Sequence, residues 1–290
     1  MSEPANERVP LSVLIAARNE AANLPKCLAP LERWADEIVV VDSHSTDGTA
    51  ELAERYGAQV LQFDYAGGWP KKRQWALDTF PFRNDWILIL DADEILQPAI
   101  KSELAQAIAS TRFDGYWLRF RLFFLGRELA HGGFDLMKLF LFRKGKGRYE
   151  RRLTDQTKEM GDIEVHEHVI VDGAVGQLES PIRHENFNSL YRYIAKHNEY
   201  SEWEARVFVE GTSDDLKPSF LGSQAERRRW LKSKLFEAPG FPLMTFGYHY
   251  VLRMGFLDGA PGLIYCGLKG IQRFHSKAKL YELRLNSKKV

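Results

Sequence analysis

The fold of this chain is decided by the stretch Trp86-Ile87-Leu88-Ile89-Leu90-Asp91-Ala92-Asp93-Glu94. Its apolar run predicts a strand that is buried on both faces, and the strand ends at a cluster of carboxylates. In open α/β sheets, ligands bind beyond the carboxyl ends of the strands. A spacing of two along an extended chain would put Asp91 and Asp93 on one side. Because converging carboxylates repel each other, we expect a hard divalent metal ion between them; a solvated acidic turn is the competing interpretation.

Length and composition bound the class of protein. The chain has 290 residues, of which 44% are hydrophobic and 27% are charged, which fits one large domain or one domain plus an appendage. The net charge of +1 indicates no nucleic-acid partner. Two cysteines far apart in the sequence suit a reducing compartment. The first ten residues lack an apolar signal core and no long apolar run occurs, so we expect a cytoplasmic protein without a transmembrane helix.

Strands and helices alternate along the N-terminal half. The patterns predict strands over residues 11–17, 37–42, 59–63 and 86–90. They predict helices over residues 21–34, 50–56 and 98–111, and another that opens at Lys71. Alternation of this kind predicts an α/β fold with a mostly parallel sheet flanked by helices.

Polar side chains follow three of these strands. They are Arg18, Asn19 and Glu20, then Asp42, then Asp91 and Asp93. Adjacent parallel strands would bring these groups together at one edge of the sheet. A helix that begins with basic Lys72 and Arg73 suits an anion. The sequence therefore predicts a nucleotide-diphosphate site, in which Asp42 binds a base or ribose and Asp93 holds the metal.

Residues 11–115 resemble an inverting family-2 glycosyltransferase with the Rossmann-like GT-A fold. The matching pieces are Ser12-Val13-Leu14-Ile15-Ala16-Ala17-Arg18-Asn19-Glu20, Val40-Val41-Asp42-Ser43-His44-Ser45-Thr46-Asp47-Gly48-Thr49, Lys72-Arg73-Gln74-Trp75-Ala76-Leu77 and Leu90-Asp91-Ala92-Asp93-Glu94. Gln74 departs from the family, which often has Asn there. More narrowly, the chain resembles bacterial enzymes that build lipopolysaccharide cores and exopolysaccharides, of the core β-1,4-glucosyltransferase type.

The resemblance implies a set of site residues and partners. The implied donor-binding residues are Ala17, Arg18, Asn19, Glu20, Asp42, Lys72, Arg73, Asp91 and Ala92. Asp91 and Asp93 would form the DxD motif that holds a divalent metal, Mn²⁺ or Mg²⁺, with Asp93 also counted as catalytic. The implied donor is a nucleotide sugar, with a UDP-sugar expected first. The implied acceptor is a saccharide or a lipid-linked saccharide of the cell envelope.

A second cluster, Glu164-Val165-His166-Glu167-His168, is the candidate source of a catalytic base. Alternation on a strand would put the two histidines on one face and Glu167 on the other. Similar glycosyltransferases carry a Val-His-Glu segment near the acceptor, and an inverting transfer needs a group that takes the acceptor proton. We therefore expect Glu167 to be the base, with His166 as an auxiliary group and Asp135 as the reserve candidate. A partly exposed edge strand is the structural alternative.

The sequence suggests two parts. We expect a GT-A catalytic domain over residues 1–185, with a donor half at 9–115 and an acceptor half at 116–185, and a helical region over 186–290. Residues 241–274 are aromatic and apolar but interrupted by Gly, Pro and charges, so they cannot span a membrane as one helix. They favour a peripheral position on the inner face of the cytoplasmic membrane, with basic residues at the headgroups. A helical dimer or domain interface is the alternative.

Two other functions remain open from the sequence. In an aspartyl-phosphate-type phosphatase, Asp91 would be the nucleophile and Asp93 the acid. Such a loop normally has Thr or Val where this chain has Ile95. A non-catalytic sugar-nucleotide-binding protein would be indicated by loss of Asp91 or Asp93, and both are present.

Overall fold

The computed structural model of the chain describes residues 8–150, 168–185, 189–210, 234, 236 and 238–287. These residues divide into two compact units. The first unit comprises the described residues of 1–123, 135–150 and 155–186. The second comprises those of 124–134 and 187–290. The domain limits expected from the sequence stay predictions.

Helices and strands alternate along the first half of the chain, and helices dominate its end. In chain order the elements are β1 (Val9–Ala17), α1 (Leu24–Leu28), β2 (Ala35–Asp42), α2 (Thr49–Arg55), β3 (Gln59–Gln62), α3 (Lys72–Thr79), β4 (Trp86–Asp91), β5 (Glu94–Ile95), α4 (Pro98–Ala109), β6 (Gly115–Phe124), β7 (Arg127–Glu128), β8 (Leu136–Arg143), β9 (Gly147–Tyr149), β10 (Val169–Val171), β11 (Val175–His184), α5 (Leu190–Glu210), α6 (Phe241–Gly247) and α7 (Gly259–Ser287).

One predicted helix is much shorter than expected. The pattern predicted a helix over residues 21–34, but α1 ends at Leu28 and turns continue to Trp34. Pro30 has no N–H to donate to the carbonyl four residues earlier, so the helical hydrogen-bond series cannot continue through it. The apolar residues of this stretch are still buried. This burial explains why the sequence shows apolar residues at helical spacing although the helix itself is short.

The first unit is built on a mixed sheet with the strand order β3-β2-β1-β4-β8-β6-β11-β5. β3, β2, β1 and β4 are parallel, and β6 and β11 are also parallel. β8 runs antiparallel to both of its neighbours, as β5 does to β11. The predicted α/β class with a mostly parallel sheet is confirmed.

The chain order of the sheet creates a switch point. From β1 the chain moves outward to β2 and β3, and it then returns to the other side of β1 to form β4. At this point loops leave β1 and β4 in opposite directions, so a crevice opens beyond their carboxyl ends. The register places Ala17 beside Asp42 and Ala16 beside Asp91. Three strand ends predicted to carry polar groups therefore lie at one edge.

A buried apolar core fixes this edge. The central strands contribute side chains with almost no exposed surface, among them Val13, Leu14, Ile15, Val39, Val40, Val41, Leu88 and Ile89. Burying one such side chain contributes about 1.5–3 kcal/mol, which exceeds the contribution of a surface ion pair. The position of the strand ends is thus set by the core rather than by the polar groups they carry.

The second unit is helical. α5 and α7 are joined through Glu204, which accepts hydrogen bonds from Ser276 Oγ at 2.7 Å and from Arg273 Nη1 at 2.6 Å. The spacing of apolar residues over 190–208 predicts a helix, and α5 covers this range. Residues 241–274 do not form one helix, as predicted: α6 is followed by a π-helical turn at Tyr248–Leu252, a 3₁₀ turn at Gly255–Asp258 and then α7.

Asp258 anchors the loop 124–134 within the second unit. Its buried carboxylate accepts a hydrogen bond from the His131 backbone N–H at 3.0 Å and lies 2.8 Å from His131 Nδ1. Among the described residues, no helix combines the length and apolar character needed to cross a membrane.

Candidate active site

The carboxylates at the end of β4 lie on a turn. β4 ends at Asp91, Ala92 and Asp93 form a turn, and β5 begins at Glu94. The buried Glu94 side chain closes this turn, because its Oε2 accepts a hydrogen bond from the Asp91 backbone N–H at 2.8 Å. The expectation of an extended chain through 91–93 is therefore wrong, and the carboxylates of Asp91 and Asp93 bind different partners.

Asp91 is bound by two cations of the chain itself. Its Oδ1 accepts a hydrogen bond from Arg73 Nη2, and its Oδ2 lies 2.8 Å from Lys138 Nζ. Lys138 Nζ also lies 2.6 Å from Glu94 Oε1, so one ammonium group bridges two carboxylates. A cation is expected between neighbouring carboxylates. For Asp91 and Glu94, Lys138 is that cation.

These contacts shift the pKa values of both acids. Burial opposes ionisation of Asp91, but the charges of Lys138 and Arg73 outweigh it and hold its pKa well below the usual range. Burial raises the pKa of Glu94 to about 7, against the opposing effect of Lys138 and with a further increase from Asp91. Asp91 is therefore a fixed anion that holds Arg73 and Lys138 in place.

Asp93 faces a histidine from the far side of the sheet. Its Oδ2 lies 3.5 Å from Nε2 of His184 at the end of β11, and its backbone oxygen accepts a hydrogen bond from the Glu185 N–H at 2.8 Å. Burial opposes protonation of His184, but the Asp93 charge raises its pKa. His184 Nδ1 is buried and, among the described residues, has no hydrogen-bond partner.

The residues of this turn fit a divalent ion only in part. Within the described ranges, no group of three or more His, Cys, Asp or Glu is arranged to hold a metal. Asp93 and His184 provide two suitable ligand atoms that face each other. Mg²⁺ and Mn²⁺ sites in nucleotide-dependent enzymes are often completed by substrate phosphates and water. Asp91 has both oxygens engaged by cations, so its predicted role as a metal ligand stays a prediction.

The loops after β1 and β2 are locked to each other. Asn19 adopts a left-handed backbone conformation (φ 56°), which asparagine tolerates well. Its N–H donates to Ser45 Oγ at 2.8 Å, and its Oδ1 accepts from the Thr46 N–H at 2.9 Å. The Glu20 N–H donates to Thr49 Oγ1 at 2.8 Å. The two loops therefore form one preorganised wall at the switch point.

The remaining donor-side residues lie at the same edge. Asp42 is fully buried, and its carboxylate accepts hydrogen bonds from the N–H and the hydroxyl of Ser45. Lys72 Nζ donates to the Ala17 carbonyl at 3.2 Å, which ties α3 to the end of β1. Arg18 is exposed. The predicted contacts of these residues with a nucleoside or diphosphate stay predictions.

The acceptor side is described only in part. Asp135, the reserve base, lies 2.9 Å from Arg119 Nη2 and is half exposed. Glu167 and His166 lie outside the described residues, so their predicted roles stay predictions.

Sequence reasoning missed Lys138 and gave His184 no catalytic role. The apolar run over residues 139–143 predicts a strand that begins after Lys138, whereas β8 starts at Leu136 and includes the lysine. A single lysine in a run of Leu, Met and Phe was the available signal. His184 ends a strand that was not predicted, and its pairing with Asp93 is a contact that local patterns do not indicate.

A family model described as "Glycosyl transferase family 2" matches residues 12–167, more than half of the chain. This chain belongs to glycosyl transferase family 2. The lipopolysaccharide core biosynthesis glycosyltransferase LpsC of Rhizobium meliloti (strain 1021) is 31% identical over 290 residues, which cover 95% of this chain and 93% of LpsC. An uncharacterized glycosyltransferase of Rickettsia bellii (strain RML369-C) is 28% identical over 292 residues, which cover 98% of this chain and 90% of the relative.

The chain is also similar to solved structures. The crystal structure of S. aureus TarS 1-349 in complex with UDP-GlcNAc matches with a TM-score of 0.48 and 17% identity, over 95% of this chain and 92% of that chain. With the family assignment, the predicted GT-A architecture is confirmed. The chain is a glycosyltransferase, and the phosphatase alternative is not favoured.

Proposed function

We propose that this family 2 glycosyltransferase transfers a sugar, with inversion, from a nucleotide-diphosphate sugar to a saccharide or lipid-linked acceptor. A UDP-sugar is the first donor to test. The observation that carries the proposal is the convergence of polar groups at the switch point between β1 and β4, where the register sets Asp91 beside Ala16. Ligands of open α/β sheets bind at such a point.

The donor would lie against the wall formed by the loops after β1 and β2. In this proposal the nucleoside contacts are made by Ala17, Arg18, Asn19, Glu20 and Asp42, and the diphosphate contacts by Lys72, Arg73 and the turn at Asp91 and Ala92. Supporting this division, the loop network holds backbone groups in fixed positions, and fixed dipoles stabilise a bound ligand without reorganisation.

A divalent ion, Mn²⁺ or Mg²⁺, would be held by Asp93 and His184. When bound, such an ion neutralises charge on the departing diphosphate. Asp93 and His184 lie at the carboxyl edge of the sheet, and the distance between Asp93 Oδ2 and His184 Nε2 is 3.5 Å. Lys138 would act as a positioning residue, because it fixes Asp91 and Glu94 on either side of the turn that carries Asp93.

The acceptor hydroxyl needs a base, because its own pKa is too high for it to attack the sugar carbon unaided. We assign this role to Glu167, with His166 as an auxiliary group, on the basis of the family resemblance. Asp135 is the second candidate, and its ion pair with Arg119 would have to open before it could take a proton.

The name of one relative supports a class of acceptor. LpsC is named for lipopolysaccharide core biosynthesis, and it matches this chain over nearly its full length. We therefore infer that the acceptor is a saccharide of lipopolysaccharide or another cell-envelope polysaccharide, carried on lipid. The enzyme would work in the cytoplasm, peripherally at the inner face of the cytoplasmic membrane.

A thermal-shift panel tests the donor proposal. The full-length protein is heated with UDP-, GDP-, ADP- and dTDP-sugars, each with Mn²⁺ or with a chelator. We expect one nucleotide, UDP first, to raise the melting temperature, and to do so more strongly with Mn²⁺. Asp93→Asn should lose the Mn²⁺-dependent part, whereas the matched control Asp85→Asn should keep it, because Asp85 is exposed and precedes β4, at the opposite end of that strand from Asp91. A panel without any shift would refute the proposed donor site.

A further inference from the structure

The second unit exposes a continuous series of large apolar side chains. Between residues 243 and 274 the exposed ones are Leu243, Met244, Tyr248, Val251, Leu252, Met254, Phe256, Leu257, Leu263, Ile264, Ile271 and Phe274. Leu243 and Leu252 are 78% and 75% exposed, so most of their surface is in contact with water. Soluble monomers rarely expose apolar patches of this extent, so this surface, which we call the apical surface, indicates an interaction site.

The break between α6 and α7 makes this exposure possible. Residues 248–258 form a π-helical and a 3₁₀ turn, with Met254 in the left-handed region (φ 57°) between them. The buried side of this segment is fixed by Asp258, which binds His131. The turn is therefore held in place on its buried side while Val251, Leu252 and Phe256 project outward.

The exposed face continues along α7. Ile264, Ile271, Phe274, Tyr281 and Leu285 recur at helical spacing and are exposed. The opposite face packs on α5 through Gln272, Ser276 and Leu280, which are buried. One face of α7 thus packs on α5. The other face carries exposed apolar side chains that no described residue covers.

The charged residues near the apical surface bear on which kind of partner it would bind. Between residues 238 and 281 the only acidic residue is Asp258, which is buried and bound to His131. The same stretch carries Arg253 together with four cations that are engaged on the packed side of α7: Lys269 lies over the Tyr265 ring, Arg273 binds Glu204, Lys277 binds the Phe236 carbonyl and Lys279 binds Asn198. Arg253 is exposed in the middle of the turn and has no acidic partner among the described residues. The exposed Arg127 lies beside the same turn, where its Nη2 donates a hydrogen bond to the Leu257 carbonyl at 3.4 Å. An apolar surface with cations and no exposed acid is complementary to anionic lipid headgroups above an acyl layer.

We propose that the apical surface inserts into the headgroup region of an anionic membrane, with Leu243, Val251, Leu252 and Phe256 in the acyl boundary and Arg127 and Arg253 at lipid phosphates. This deepens the proposed function, on which it rests only for the lipid-linked acceptor. A second copy of this chain is the competing occupant, and sedimentation of the protein without lipid would detect it.

Vesicle flotation tests this inference. The full-length protein is mixed with vesicles of phosphatidylcholine and phosphatidylglycerol, or of phosphatidylcholine alone, and centrifuged through a density gradient. We expect flotation with the anionic vesicles, reduced by high salt and weak with phosphatidylcholine alone. Leu243→Glu/Leu252→Glu should lower the partition coefficient at least about tenfold, since two apolar anchors become like-charged with the lipid. Failure of the wild-type protein to float with anionic vesicles would overturn the inference.

A matched control shows whether the loss of flotation depends on the position of the two new glutamates or only on the added negative charge. Ile170→Glu/Val175→Glu makes the same change at two exposed apolar positions of the first unit and should float like the wild type. UDP binding is measured on all three proteins, which reports folding and the donor site independently. Flotation of a protein that binds no nucleotide would support the membrane surface and refute the proposed donor. Equal flotation of the Leu243/Leu252 variant, or its conversion from dimer to monomer in sedimentation with no lipid binding by the wild type, would overturn the membrane surface.

Discussion

The two units place their apolar and polar groups in opposite ways. In the first unit the apolar side chains of β1, β2 and β4 are buried, and the ionisable groups at the sheet edge are bound to one another. In the second unit the polar groups Glu204, Ser276 and Asp258 lie inside, while Leu243 and Leu252 are exposed. The first arrangement holds charges in place for a charged ligand, and the second leaves an apolar surface for a partner.

The difference has an energetic reason. A catalytic edge needs charged groups that do not move when a diphosphate arrives, so each is fixed by a neighbour of opposite sign before binding. Contact between exposed leucine side chains and water is unfavourable. Such side chains are therefore typical of surfaces that a partner covers on binding. The following predictions test whether these two regions act separately.

The largest effect is expected for Asp93→Asn. The substitution removes the charged ligand facing His184 and should lower the transfer rate by at least about 10³-fold, because a bound metal contributes several kcal/mol to the transition state. Asp85→Asn, at the other end of β4, is the control and should be unchanged. Chelation of the wild type should give the same loss, reversed by adding Mn²⁺. Full transfer in excess chelator would show that the metal is dispensable.

A loss of about 10²–10⁴-fold in turnover is expected for Glu167→Gln, because the amide keeps the size of the side chain but cannot take the acceptor proton. Donor affinity should hardly change, since the donor-side residues lie elsewhere in the chain. Steady-state transfer together with donor titration separates the two. If turnover stays near the wild-type value, the base is another residue, and Asp135→Asn becomes the test.

Lys138→Met should lower transfer by about 10–100-fold, the usual effect of removing a supporting residue around a metal ligand. It should also lower the free energy of unfolding by about 3–5 kcal/mol, because the buried carboxylate of Glu94 and the partly buried carboxylate of Asp91 lose their shared cation. Lys138→Arg keeps the charge and should recover part of both. A Lys138→Met protein that is stable and transfers normally would show that the bridge has no role in positioning the turn.

The smallest effect is expected at the apical surface. Leu252→Ala should change the free energy of unfolding by less than about 0.5 kcal/mol, because the side chain is already exposed. The same change at the buried Leu88 of β4 should cost about 2–5 kcal/mol. Denaturant unfolding of both variants compares the two regions directly. A large cost at Leu252 would mean that this residue belongs to a core and not to a surface.

The sheet edge at the ends of β1, β2 and β4 was predictable because its signals are local. The buried strands β1, β2 and β4 are short apolar runs, and each is followed at once by the polar group that it positions. Proximity of Asp42 and Asp91 then follows from parallel neighbours, without knowledge of any side-chain contact. The helical second unit was predictable for the same reason, from the spacing of its apolar residues.

The partners of those groups were not predictable, because they come from distant strands. Lys138 reaches Asp91 from antiparallel β8, and His184 reaches Asp93 from β11. No local period indicates which side chain of a later strand will face an earlier turn. The bounds of α1 were also wrong, since a helical apolar period persisted beyond Leu28 where Pro30 stops the helix.

The central claim is that the first unit alone binds the donor, through Asp93, while the apical surface of the second unit has a separate role. Calorimetric titration of UDP in Mn²⁺ into the wild type, Asp93→Asn and Leu243→Glu/Leu252→Glu tests it most directly. We expect Asp93→Asn to weaken binding at least about tenfold, as loss of a metal ligand should. We expect the double variant to bind UDP like the wild type. Unchanged affinity for Asp93→Asn, or lost affinity in a folded double variant, would contradict the claim.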